Sequence, residues 1–396
     1  MKIPNKNTSK GNVYEKHKTM NTCRVCGHKF FEKPLLRYEN MPKAAQFLPD
    51  AKSLKDDNGI DLDICQCSKC GLVQLNNAHP VPYYKDVIRA AAFSGEMKDF
   101  RKKQFADFLQ KYSLKKKKII EIGCGRGEFL SIMQQCGVDI YGLEHSEESV
   151  KECVRHGLKA SNGFVENSTY EINHAPFDAF FILNFLEHLP DPNSALGGIH
   201  NNLAFAGIGL VEVPNFDMIL RKKLFSEFTP DHLFYFTKET LSTTLTLNGF
   251  EIIECNEIWY DYILSAVVKK RERMDLSHFY KYQVRLKNEI EEHIRRFNDK
   301  KIAIWGAGHQ ALAIFSLINL ANKIKYVVDS APFKQGKYTP ATHIPIVSPD
   351  TLTTDPVDAV IVMAASYSDE VAKIIRQKFD KNICISILRD YGLETV

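Results

Sequence analysis

Glu121-Ile-Gly123-Cys-Gly125-Arg-Gly127 follows the apolar pair Ile119-Ile120 and precedes Phe129, Leu130, Ile132 and Met133 at helical spacing. Extended apolar residues, a glycine-rich bend and an amphipathic helix in that order predict a strand, a phosphate-type turn and a helix, the opening unit of a doubly wound α/β sheet. A second strand over Ile140–Leu143 ends at Glu144, 21 positions beyond Gly123. An acid at that distance is placed to accept hydrogen bonds from both hydroxyls of a ribose lying across the sheet edge. The spacing Gly123-x-Gly125-x-Gly127, with Glu121 two positions ahead of it, departs from the GxGxxG of dinucleotide-binding units.

Upstream stand two cysteine pairs, Cys23-Arg-Val-Cys26 and Cys67-Ser-Lys-Cys70, each followed by a glycine, Gly27 and Gly71. Two thiolates separated by two residues on a tight turn can reach one tetrahedral ion, so Cys23, Cys26, Cys67 and Cys70 are read as a structural zinc site. A four-thiolate shell leaves no open position, which argues against catalytic zinc. Cys65 competes with Cys67 for a place but lacks the two-residue gap, and His28 reads as a surface neighbour. Ten cysteines in 396 residues are too sparse for a disulfide scaffold. Lys and Arg number 52 against 48 Asp and Glu, a formal charge of +4 that gives no strong field for nucleic acid or a membrane surface. The first twenty residues carry no apolar leader pattern, and no apolar run approaches the ~20 residues of a membrane span, so a cytoplasmic protein is expected.

Downstream, helical periodicity runs from Val81 to about Tyr112, with Phe100, Phe105, Phe108 and Leu109 on one face. A strand over Phe177–Asn184 leads into Leu186-Glu187-His188-Leu189-Pro190-Asp191-Pro192. Together with the glycine turn and Glu144, this segment resembles a class I S-adenosylmethionine-dependent methyltransferase. The resemblance implies cofactor contacts at Glu121, Gly123, Gly125 and Gly127, ribose contact at Glu144, and an active-site edge from Asn184 to His188. A further strand, Gly209–Val213, is followed by Pro214-Asn215 and then Phe228-Thr-Pro-Asp231-His232-Leu-Phe-Tyr235, which puts an imidazole where substrate should enter.

Residues 271–300 read as a charged connecting helix with Tyr282, Leu286, Ile290 and Ile294 on one face. At Ile302 a second half-Rossmann unit begins: strand Ile302–Trp305, turn Gly306-Ala-Gly308-His309, a helix, and a strand ending at Asp329, 21 positions after Gly308. Asp329 is placed either to meet a ribose or to cap a loop. Strands over Asp358–Met363 and Ile383–Ile387 complete a small α/β domain. The expected division is therefore a polar tail (1–20), a zinc module (21–80), a methyltransferase domain (81–270), the connecting helix (271–300) and a C-terminal Rossmann-like α/β domain (301–396).

That order of parts resembles the three-domain zinc-containing sugar C-methyltransferases, which act on nucleotide-linked deoxy-keto-sugars, and the likeness extends from Cys23 to the tail, including Pro340 to Pro345. It implies a nucleotide-sugar substrate, S-adenosylmethionine as methyl donor, and substrate contacts at Glu187, Asn215, Tyr235, Gly306, Gly308, His309 and Asp329. The chain departs from the family pattern at Thr229-Pro230-Asp231-His232, where a tyrosine and a Glu-His pair are usual, at Ile88–Phe93, which supplies no phenol, and at His309-Gln310. Methylation beside a ketone needs a base for the carbon-bound proton and a donor for the enolate oxygen. His232 is the expected base, Asp231 its orienting partner and His188 the oxyanion donor; Asn184 or Glu187 would position the sugar. The blander reading makes Asp231 and His232 helix caps. O-methylation of a sugar hydroxyl, or a decayed binding module, are the competing functions.

Overall fold

The computed structural model describes residues 20–43, 48–76, 94–297 and 301–396. The polar tail before Met20, the helical pattern from Val81 to Phe93 and the stretch Ile88–Phe93 lie outside the described residues. The chain forms two compact units, Met1–Glu272 and Arg273–Val396.

The first unit runs β1 (Leu36–Met41), β2 (Ile60–Gln66), β3 (Val73–Leu75), α1 (Gly95–Lys111), β4 (Lys118–Ile122), α2 (Glu128–Gln135), β5 (Asp139–Glu144), α3 (Glu147–Arg155), β6 (Ala160–Asn162), β7 (Phe177–Leu183) and α4 (Pro192–Asn201). It continues with β8 (Leu203–Pro214), α5 (Phe216–Lys222), β9 (Phe234–Tyr235), α6 (Lys238–Leu247), β10 (Phe250–Ile258) and β11 (Ile263–Lys270). Its main sheet has the order β10-β11-β8-β7-β4-β5-β6, with β4, β5, β6, β7 and β8 parallel and the last two strands antiparallel. The direction of strand order reverses between β4 and β7, and a ligand crevice belongs at the carboxyl ends of those strands.

Near-continuous apolar strands follow from burial on both faces. Ile120, Ile182, Phe180 and Val211 face Leu196, Ile199, Leu241 and Leu245, while Ile119, Phe181, Leu183 and Leu210 face Phe105, Phe129, Leu130 and Met133. Caps set the helix starts: Ser94 Oγ accepts from Met97 N, Asp191 Oδ1 accepts from Ser194 N ahead of Pro192, and Thr237 and Thr240 form a capping box.

A smaller antiparallel sheet, β1-β2-β3-β9, carries the cysteine pairs at its end. Its fourth strand comes from far along the chain, since Val73 and Gln74 pair with Tyr235 and Phe234. Two residues are too short for a periodic signal, so sequence reading gave no strand there.

The second unit contains α7 (Ser277–Arg295), β12 (Ile302–Trp305), α8 (His309–Leu317), β13 (Tyr326–Val328), β14 (Ile346–Val347), α9 (Thr351–Thr354), β15 (Ala359–Val362), α10 (Ser368–Lys378), β16 (Cys384–Arg389) and β17 (Gly392–Thr395). Its sheet order is β14-β13-β12-β15-β16-β17, parallel except for the closing hairpin β16–β17. Helix α7 lays Leu286 and Ile290 on this unit's core, with Tyr282 and Ile294 beside them, so the connecting segment belongs to the tail. The fold is α/β with three sheets, as the sequence pattern predicts.

Gly209 in β8 lies directly under Phe180: a Cβ there would meet ring atoms at 2.1 and 2.2 Å and Val268 Cγ2 at 2.8 Å. Neither neighbour is a flexible chain end, so Gly209→Ala is expected to destabilise the first unit by about 1–3 kcal/mol, read as a lower denaturant midpoint with unchanged slope.

Candidate active site

The glycine turn leaves β4 through three positive-φ residues, Gly123 (φ 71°), Gly125 (58°) and Gly127 (88°), a conformation side chains resist. Space forbids side chains as well: a Cβ on Gly123 would lie 2.6 Å from Phe185 Cγ, and one on Gly127 2.4 Å from Leu158 Cδ1. Glu144, buried at the end of β5, accepts from Gly125 N at 2.9 Å and from Ser146 N at 2.9 Å. Its carboxylate thus ties the turn to the start of α3. Glu121 lies fully buried within β4.

Beside the turn runs a crevice lined by Ile122, Leu143, His145, Gly163, Phe164, Val165, Phe185, Leu189 and Ala195. His145 and Phe164 meet edge to face at 5.9 Å. Asn162 donates to His145 O at 2.7 Å and to Glu144 O, fixing that wall. The lining is apolar, and the free volume in this structure is about 10 Å³, room for about one water. Sequence reading passed over this wall because β6 is three residues long and carries no motif.

The 3-10 turn Leu186–His188 and the loop 229–233 bring two histidines together, with ring centroids 4.9 Å apart. His188 Nδ1 lies 2.6 Å from Asp231 O. A carbonyl only accepts, so Nδ1 carries the hydrogen, and Nε2 is left 3.6 Å from Glu187 Oε1. Asp231 meets His188 through its main-chain carbonyl. Burial pushes the His232 pKa down to about 4, so the ring is neutral with an available lone pair.

Leu233 holds this pair in place: its N–H donates to Glu187 O at 2.8 Å and its carbonyl accepts from Leu75 N at 3.0 Å. The second bond reaches the small sheet, where the four sulfurs of Cys23, Cys26, Cys67 and Cys70 lie within 4.8 Å of one another. Cys26 and Cys67 sulfurs are 3.4 Å apart and those of Cys23 and Cys70 3.7 Å. Main-chain N–H groups of Val25, Cys26, Lys69 and Cys70, and the Gln74 amide, point at the Cys23 and Cys67 sulfurs. Donors aimed at sulfur stabilise thiolates, and such a set fits a tetrahedral thiophilic cation. Cys65 is buried in β2, outside the cluster, and His28 is exposed.

Other expected contacts have structural partners. Asn215 caps α5, accepting from Met218 N, and donates to Asp261 O at 2.8 Å. Tyr235 exchanges hydrogen bonds with Thr229 N and O and packs on Phe228 at 4.8 Å, so it shapes the loop that carries His232. Asn184 (φ 50°) ends β7 and donates its N–H to Glu212 O. In the second unit, Asp329 accepts from Ala307 N, Ala331 N and Lys334 Nζ at 2.8–2.9 Å. Burial opposes its ionisation, but Lys334 and the two N–H groups outweigh that and hold its pKa below the ordinary carboxylate value. Gly306 approaches Met363 O too closely for a Cβ (2.5 Å), and Gly308 and His309 open α8, exposed.

A family described as a methyltransferase domain matches residues 97–255, and one described as a C-methyltransferase C-terminal domain matches residues 267–384. The protein is an S-adenosylmethionine-dependent methyltransferase with a C-methyltransferase tail. The C-methyltransferase NovU of Streptomyces niveus is 22% identical to it over 381 residues, 88% of this chain and 90% of that protein. A ubiquinone biosynthesis O-methyltransferase of Bordetella avium is 32% identical over 90 residues, 21% of this methyltransferase and 37% of its own length. A solved S-adenosylmethionine-dependent methyltransferase from Clostridium acetobutylicum covers 46% of the chain and 95% of itself at 13% identity, with a TM-score of 0.39. Among the described residues, no helix is long and apolar enough to cross a membrane.

With its folded pKa depressed, His232 takes up no proton between pH 8 and about 5, where an unfolded histidine, with pKa about 6.5, already does. Its contribution therefore disfavours the folded state progressively as pH falls from about 6.5 to 4 and is constant below that. Ring NMR signals of His232 are expected to stay at neutral-form shifts from pH 8 to 5; a midpoint near 6.5 would contradict the burial argument.

Proposed function

We propose that the methyltransferase adds a methyl group to a carbon beside the ketone of a nucleotide-linked deoxy-keto-sugar. The observation that carries this reading is the juxtaposition of two imidazoles in different settings at the carboxyl edge of β7. A base and an acid with environments set apart are what enolate chemistry asks of two neighbouring groups.

The residues present fit the methyl donor in kind: the three glycines keep the turn's backbone bare of side chains, Glu144 ends β5 at the ribose-type position, and His145 and Phe164 offer rings beside it. When bound, S-adenosylmethionine supplies a methyl group already activated by its sulfonium charge. The acceptor is left to the chain. His232, neutral near pH 7, takes the carbon-bound proton on its free ring nitrogen. His188, its Nδ1–H spent on Asp231 O, presents Nε2; a hydrogen there is balanced by the buried Glu187 carboxylate and donates to the oxygen that gains charge. Asn184, at the strand end, and Glu187 orient the sugar. The four thiols are assigned to structural zinc, which through Gln74, β3 and β9 steadies the His232 loop. Within the second unit, the turn Gly306–His309 is assigned to a nucleotide's phosphates, with Asp329 shaping it from below.

Incubating the protein with a keto-sugar nucleotide in D₂O, without methyl donor, is expected to exchange the hydrogen beside the carbonyl. An accepted substrate that shows no exchange would instead favour transfer to a hydroxyl. His232→Ala should lower both exchange and methyl transfer by about 10²–10⁴-fold while cofactor affinity stays near normal. In Cys23→Ser, elemental analysis should find zinc lost and the unfolding temperature lowered; full stability in a metal-free protein would remove the zinc assignment.

A further inference from the structure

Glu187, His188 and His232 bring one ligand-type atom each to a common point: a carboxylate oxygen and two imidazole nitrogens lie within 4.8 Å of one another. Among the described residues, the four thiols are the other group of this kind. No sequence spacing announces the second group, because 44 positions separate His188 from His232. The backbone sets these side chains in place. Leu233 N donates to Glu187 O at 2.8 Å, and His232 N donates to Thr229 O at 3.2 Å, so the two segments are fixed to each other and the loop to itself. His188 Nδ1 donates to Asp231 O at 2.6 Å, the kind of bond by which metal-bound imidazoles are held, and Nε2 is the nitrogen turned to Glu187 Oε1 at 3.6 Å.

Bond lengths of about 2.0–2.1 Å put the ligands of a tetrahedral ion about 3.4 Å apart. The Glu187–His188 spacing is already of that size, and no pair in the group exceeds it by more than about 1.4 Å. Leu186, Leu189 and Leu233, all buried, flank the group in the chain and lower the dielectric around it. Two imidazoles and one carboxylate suit zinc, cobalt or ferrous iron, whereas magnesium and calcium take oxygen ligands. Three protein ligands also leave a position open, unlike the closed shell of the four thiols.

We propose that Glu187, His188 and His232 form a second, exchangeable site for a divalent cation of the zinc type, and that filling it switches off the chemistry at the acceptor. A ring nitrogen bound to a cation has no lone pair left for a carbon-bound proton. On His188, the ion takes the place of a hydrogen on Nε2, so the ring no longer donates to the substrate oxygen. The site itself stands on geometry alone; the switch rests on the reading of His232 as the base.

Cobalt titration of the full chain, followed by optical absorption and by equilibrium dialysis, tests the site without any turnover. Cobalt at the thiols gives intense sulfur-to-metal charge transfer; the second site is expected to take one further ion per chain and to add only weak d–d bands. Glu187→Gln should weaken that further ion by at least about tenfold and keep the charge-transfer bands, which report that the variant has folded. His232→Gln should do the same. A native protein that takes no further ion overturns the site, and so does a further ion that both variants keep. In the D₂O assay, filling the site with zinc is expected to slow hydrogen exchange by about 10²-fold or more, and citrate, which removes the labile ion and leaves the thiolate-bound one, to restore it. Undiminished exchange with the second ion bound overturns the switch. A protein that exchanges no keto-sugar at any zinc level counts against the proposed reaction, and the cobalt titration still decides the site.

Discussion

One main-chain position joins the parts of the first unit. Leu233 gives its N–H to Glu187 O and its carbonyl to Leu75 N–H, so the loop after β7, the loop carrying His232 and the small cysteine sheet share a single hydrogen-bonded strap. Both bonds are between main-chain groups, and a backbone group left unpaired in the interior costs about as much as a lost hydrogen bond. The strap is therefore hard to break at one end only. His188 and His232 face each other because of it, and the sulfur cluster is mechanically continuous with them through Gln74 and β9.

This continuity couples the four-thiol cluster to the pair of histidines. Arg24 Nη1 donates to Pro190 O, and Asn193 Nδ2 donates to Val25 O at 2.7 Å, so the first cysteine knuckle is also tied to the segment that follows His188. A short sheet of this size has little core of its own, and these cross-ties fasten it to the loops of the main sheet. The loops it holds are then rigid enough to keep two rings at a fixed separation.

Charge is handled differently on the two faces of the main sheet. On α4 and α6 the buried side chains are apolar or, as with Thr240 and Thr244, uncharged, while toward α1 and α2 two fully buried carboxylates, Glu121 and Glu212, lie among phenylalanines. Carboxylates in such surroundings are retained only with partners, and Arg101 meets Glu212. These buried charges lie toward the carboxyl ends of the strands.

The strand–turn–helix at Ile119–Met133, both cysteine pairs and the tail's β12–α8 unit were legible in the sequence because each is local: a period of two or 3.6, glycines at positive φ, or ligands two residues apart declare themselves within a dozen positions. The burial of Arg101 on α1 is seen only in the fold, since the helical face read from the sequence was Phe100, Phe105, Phe108 and Leu109. Glu212, the His145–Phe164 wall, β9 and the pairing of His188 with Asp231 O depend on residues from 19 (His145 and Phe164) to 162 (Val73 and Tyr235) positions apart, and strand fragments of two or three residues carry no period. The amino-acid order thus determined the fold class, the thiol cluster and the cofactor turn. Which side chains face one another at the reacting centre, and through which atoms, was decided only by tertiary packing, since contact between distant segments is set by sheet order and loop closure rather than by local preference.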